Sequence, residues 1–154
     1  MEQNNTYPHV NWTDGMKLNK DAFIAQDHAH TFDLYSLISS TLSPIRYGIL
    51  PAEGSFNVQI STDNQNTLRV SVLSCKAITI GGAYIHINAT EPNSNTDANP
   101  SISLPLPSSV SEVYWVVLTL HAFERIPFGL INPQENPPRF PYVKPGYSVQ
   151  LVAN

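Results

Sequence analysis

Charge is scarce in this chain. Lys, Arg, Asp and Glu together make up 13% of its 154 residues, about half the usual share for a soluble protein. Eight basic and twelve acidic side chains leave a net charge of −4. No Lys/Arg cluster occurs among them, which argues against the electrostatic footprint of a nucleic-acid binder. The single cysteine, Cys75, excludes an intrachain disulfide. Set among Val70, Val72, Leu73 and Ile78, it reads as a buried and inert thiol. No apolar run approaches the ~18 residues that would span a bilayer as a helix, so direct membrane insertion is not expected. The opening Met-Glu-Gln-Asn-Asn has neither the basic nor the apolar region of a signal peptide, and a cytoplasmic location is expected. The triplets beginning at Asn4, Asn11 and Asn88 are then chance glycosylation matches.

What remains is a chain rich in neutral polar residues, with 42% hydrophobic side chains to build a core. Such a surface packs into an assembly without desolvating many charges. The spacing predicts one helix over about 19–42. Asn19 is its N-cap, and Asp21 lies in the first turn, where a carboxylate opposes the helix dipole. Ile24, Thr31, Leu34, Ile38 and Leu42 recur every three to four residues or so, with Phe23, Leu37 and Thr41 alongside, and Pro44 ends the run. The polar knot Gln26-Asp27-His28 interrupts the apolar face. The first half of the helix is therefore expected to meet solvent or a partner, and the second half to be buried.

From about 47 to 152 the pattern is of strands. Phe56, Val58 and Ile60 alternate with Asn57 and Gln59, as in a half-buried strand. Leu68, Val70, Val72 and Leu73 open the next, after the polar turn 63–66. Gly81-Gly82, between Ile78-Thr79-Ile80 and Ala83-Tyr84-Ile85-His86-Ile87, predicts a hairpin with a two-residue turn. Residues 91–100 read as an exposed loop, followed by a short strand holding Ile102 and Leu104. Val113–Leu120 is an almost unbroken apolar run, expected of a central strand buried on both faces. Pro133, Pro137, Pro138, Pro141 and Pro145 predict an extended wrapping segment before a last strand with Tyr147, Val149 and Leu151. One helix and about seven strands imply a mainly β domain: a single antiparallel β-sandwich or barrel over 1–154, with one N-terminal α-helix. The last strand stops close to Asn154, which suggests the N-terminal part of a longer protein.

Catalytic chemistry finds little support. His28 and His30 are two apart on the predicted helix, so they project about 200° from one another and do not chelate one metal. His86 and His121 read as core or rim histidines. Ser74-Cys75-Lys76 sits mid-strand, without the base or helix N-terminus that activates a thiol. Gly81-Gly82 lacks the lysine and helix of a phosphate loop. No catalytic residue, metal ligand or cofactor-binding residue is assigned, and a non-enzymatic role is expected.

The most distinctive stretch runs from Val10 through Trp12-Thr13-Asp14-Gly15-Met16-Lys17-Leu18 to Phe23 and Gln26. It resembles the N-terminus of the K subunit (TssK) family of the type VI secretion baseplate: an aliphatic residue, Trp, an acid, Gly, Met, then leucine and a helix. Tyr47-Gly48-Ile49-Leu50 is similar to the family's strand after that helix. Lys17 stands where the family usually has an aromatic, and Asn19-Lys20-Asp21 replaces its Pro-Gln-His. That family also resembles the shoulder domains of phage receptor-binding proteins. The resemblance implies a β-sandwich shoulder domain that assembles as a homotrimer and docks to baseplate wedge proteins. Contact with the membrane complex would be made only by parts absent from this chain. The resemblance makes Trp12, Asp14, Gly15, Met16, Leu18, Phe23 and Gln26 the candidate partner-binding residues. Taken alone, Trp12 with Met16 and Leu18 also reads as a hydrophobic staple before the helix. The alternative function is a phage-like tail domain whose aromatics contact glycans.

Overall fold

The computed structural model describes residues 6–63, 67–88, 100–105 and 113–153; most of the 91–100 loop lies outside them. The protein is mainly β, with antiparallel sheets and one helix in a sandwich-like arrangement. The elements are α1 (Lys20–Thr41), β1 (Gly48–Ile49), β2 (Phe56–Thr62), β3 (Thr67–Ile78), β4 (Tyr84–Asn88), β5 (Ser101–Pro105), β6 (Tyr114–Phe128) and β7 (Tyr142–Ala153). No helix among the described residues is long and apolar enough to cross a membrane. The chain divides into two compact units, Met1–Gly48 with Ile78–Ala83, and Ile49–Ala77 with Tyr84–Asn154.

In the first unit, the Asn19 side chain accepts a hydrogen bond from the Ala22 N–H at 2.7 Å and starts α1 where the sequence places it. Asn19→Ala should cost about 1 kcal/mol, read as a lowered urea midpoint. At the other end, the hydroxyls of Ser39, Ser40 and Thr41 donate to the carbonyls of Ser36, Leu37 and Ile38, which helps satisfy the last turn. The helix is less buried than its spacing suggests. Ala29 is its fully buried residue, while Leu34 and Leu37 are exposed. Its contacts are made elsewhere, along a face holding Phe23, Gln26 and His30 and at Tyr35, Ile38 and Ser39.

The glycine-rich turn sits against that last group. Thr79 N–H donates to Ala83 O at 2.9 Å and Gly82 N–H to Thr79 O at 3.0 Å, leaving Ile80, Gly81 and Gly82 in the loop. Gly82 has a φ of +80° and Gly81 is not in the left-handed region. The hairpin is as expected, but its loop has three residues rather than two, a turn closed by a left-handed glycine.

In the second unit β3 is the spine, pairing with β1, β2, β4 and β5. Leu73 is an extra residue in its ladder with β2: Asn57 pairs with Ser74 and Val58 with Val72. The bulge shifts the alternation by one, so that Val70 and Val72 before it and Cys75 and Ala77 after it are all buried. Val72, Cys75 and Ala77 join Ile85, Ile87 and Val149 in the core, lined by Val58, Ile102, Leu118, Leu120 and Tyr147. The core thus lies between the β3 sheet and the β6–β7 pair.

Two strand expectations fail on burial. Phe56 and Ile60 are exposed, so in β2 only Val58 of that alternating set reaches the core. β6 is not a central strand: it pairs with β7 in a two-stranded sheet, and Trp115, Val116 and Val117 are exposed by 61%, 43% and 38%. Only its middle, at Leu118 and Leu120, packs on the core. The proline-rich segment is irregular up to Pro141, but β7 begins at Tyr142 and contains Pro145. Between His121 and Ile126 the ladder slips, with four residues of β6 opposite Pro145 alone. A proline cannot donate to the ladder, so the bulge falls where no bond is forfeited.

Candidate functional site

Of the candidate partner-binding residues, Trp12, Asp14, Gly15, Met16 and Leu18 lie on the segment before α1. The first part of that segment forms a strap running antiparallel along the helix, and Phe23 and Gln26 lie on α1 itself. Thr13-Asp14-Gly15-Met16 is a turn closed by the Met16 N–H to Thr13 O bond of 3.2 Å, with Gly15 at a φ of +77°. That angle at the third position is what a type II turn requires, and it explains the glycine. The turn carries the chain from the strap into α1. Before it, Tyr7 contacts His28 and Phe32, with ring centroids at 5.7 and 5.6 Å. His9 reaches Asp33 and His30, Val10 reaches Gln26, and Trp12 lies 5.7 Å from Phe23.

Gln26 is the polar centre of this contact. Its Oε1 accepts from the Val10 N–H at 3.1 Å. Its Nε2 lies 3.0 Å from His9 Nδ1 and 2.7 Å from His30 Nε2. The other His9 nitrogen, Nε2, lies 2.8 Å from Asp33 Oδ2. The structure therefore brings together Trp12 with Phe23, and Gln26 with the strap. Asp14 is exposed within the turn and Leu18 is exposed just after it, by 63%. Sequence reasoning missed Tyr7, His9, His30 and Asp33 as members of the site. The signal was there in outline: strap residues 7, 9 and 12 face helix residues 23, 28, 30, 32 and 33, in reverse order along the helix. His28 and His30 were expected to meet solvent or a partner; both rings contact the strap of the same chain, where His28 is half-buried and His30 stays exposed to solvent.

Elsewhere the reactive groups are occupied structurally. Cys75 is buried at 4% exposure, and burial pushes its thiol up from the ordinary value, away from a thiolate nucleophile. His121 Nε2 is 3.0 Å from Ser148 Oγ, and His86 stacks on Tyr84 with centroids 5.9 Å apart. Among the described residues no group of three or more His, Cys, Asp and Glu is placed to hold a metal ion. Comparison with protein-family models, curated proteins and solved structures returns no match.

Proposed function

We propose that this chain is a non-enzymatic structural domain that docks to other subunits of a contractile-injection baseplate, in the manner of the shoulder domain of the type VI K subunit. The observation that carries the reading is the exposed apolar clasp. Trp12, Leu18 and Phe23 remain exposed by 43%, 63% and 56% although Trp12 and Phe23 touch. Exposed aromatics in a surface poor in charge favour a protein partner. On this reading the domain works in the cytoplasm, as a homotrimer, with wedge proteins on the clasp.

A tagged domain should recover wedge proteins from lysate of its native host in near-stoichiometric amount, read by mass spectrometry. Trp12→Ala with Met16→Ala should reduce that recovery at least tenfold while far-UV circular dichroism stays unchanged. Loss of the fold in the double variant would make both residues core and remove the clasp from the proposal. The glycan alternative has less support. Trp115 pairs with Val152 at one end of the β6–β7 ladder, and Tyr142 with Phe128 at the other. The Tyr147 hydroxyl donates to the His86 carbonyl at 3.4 Å, and its ring lines the core. Trp115 and Tyr147 therefore do not join the cross-strand pair of Phe128 and Tyr142 in one extended aromatic platform.

A further inference from the structure

We propose that His9 of the strap and His30 of α1 form a two-imidazole site for a zinc-type divalent ion, which would tie the strap to the helix. The Gln26 amide fixes the roles of the ring nitrogens. A backbone N–H only donates, so the Val10 bond assigns Oε1 of Gln26 to its side and turns the NH₂ group toward the two rings. That group only donates as well. His9 Nδ1 and His30 Nε2 therefore aim lone pairs at one point, from 3.0 and 2.7 Å. Two imidazole lone pairs converging on a positively polarised group form half of a tetrahedral metal site.

The spacing of the rings agrees. Two imidazoles held tetrahedrally, each at about 2.1 Å from the metal, have ring centroids about 5 Å apart. Those of His9 and His30 are 5.1 Å apart, and the rings are steeply inclined rather than stacked. An ion in place of the NH₂ group would draw each nitrogen in by less than about 1 Å. The other nitrogen of His9 lies 2.8 Å from Asp33 Oδ2. That carboxylate–imidazole pair is the outer-shell contact that orients a metal-binding histidine and makes it a better donor. Asp27, one turn before His30 on α1, adds negative charge on the same side of the helix. Both rings are exposed, so water can complete the coordination and can take over the bonds that Gln26 gives up. Imidazole donors select zinc, copper or nickel over magnesium and calcium, which prefer oxygen. His28 is not a ligand, because its ring packs on Tyr7; the strap, not the helix, supplies the second imidazole. The site rests on strap–helix geometry and is independent of what the domain docks to.

Untagged protein titrated with zinc chloride by isothermal calorimetry, at about pH 7.5 so that imidazole is free to ligate, should bind one ion per chain. His9→Ala and His30→Ala should each weaken binding at least about tenfold, the least that loss of even an outer-shell partner costs. His86→Ala combined with His121→Ala should bind as the parent does, and magnesium chloride should give no binding heat. Carbon-13 spectra of the histidine rings test the same site without substitution, should a variant not fold. On adding zinc, the signals of His9 and His30 should shift and those of His86 and His121 should stay. No zinc binding by the parent would overturn the site. So would unchanged binding in either single variant, or shifts confined to the other histidines.

Discussion

Gly82→Ala should destabilise the helix-bearing unit by about 2–5 kcal/mol, the larger of the two backbone effects expected in the 79–83 turn. Two costs add at this position. The residue adopts a φ of +80°, which an L side chain rarely accepts. A Cβ there would also stand 2.5 Å from Tyr35 O, 2.8 Å from Ser39 N and 3.1 Å from Ile38 Cβ. The first two are helix backbone atoms, so no rotamer change relieves the contact; the turn or the helix must move. Gly81→Ala is the matched control. Its Cβ would meet only Thr79 Oγ1, at 3.9 Å, and the change should cost less than about 1 kcal/mol. Urea unfolding followed by far-UV circular dichroism separates the two. Equal midpoints for Gly81→Ala and Gly82→Ala would show that the turn is free to leave the helix.

The glycine pair was legible in the sequence as a hairpin, but the reason for the second glycine was not. That reason is a helix lying more than forty residues earlier in the chain, and turn chemistry carries no information about what packs on it. The helix start was legible for the opposite reason, since Asn19 and Ala22 are three residues apart and their bond is local. The clasp falls between these cases. Trp12 and Gly15 stood out as residue types, whereas the Gln26 network needs His9 and Asp33, twenty-four residues apart, to be brought together. Burial was the least legible property. Hydrophobic density marked the 113–120 run at the start of β6 as a central strand, although what such a run requires is an opposing layer on each face and a neighbour on each edge, neither of which is written in the strand itself. β3 has four partners and β6 has one.

That contrast defines the second large effect. Val72 is exposed by 2% and packs in the cluster with Cys75, Ile85, Ile87 and Val149. Val72→Asp removes a buried side chain and leaves a carboxyl group in apolar surroundings. Lost transfer energy and polar burial together come to about 4 kcal/mol or more, a large part of the 5–15 kcal/mol that holds a typical domain. The variant should be largely unfolded or recovered only as aggregate, and a urea midpoint close to that of the parent would remove Val72 from the core. Trp115→Ser, in an equally apolar stretch of sequence, should shift the midpoint by less than about 1 kcal/mol because Trp115 is already 61% exposed. If the folded Trp115→Ser domain also recovers less partner than its parent, the β6–β7 ribbon joins the clasp as a docking surface. The low charge of this chain would then have one physical explanation: apolar residues left uncovered by its own fold are covered by other subunits.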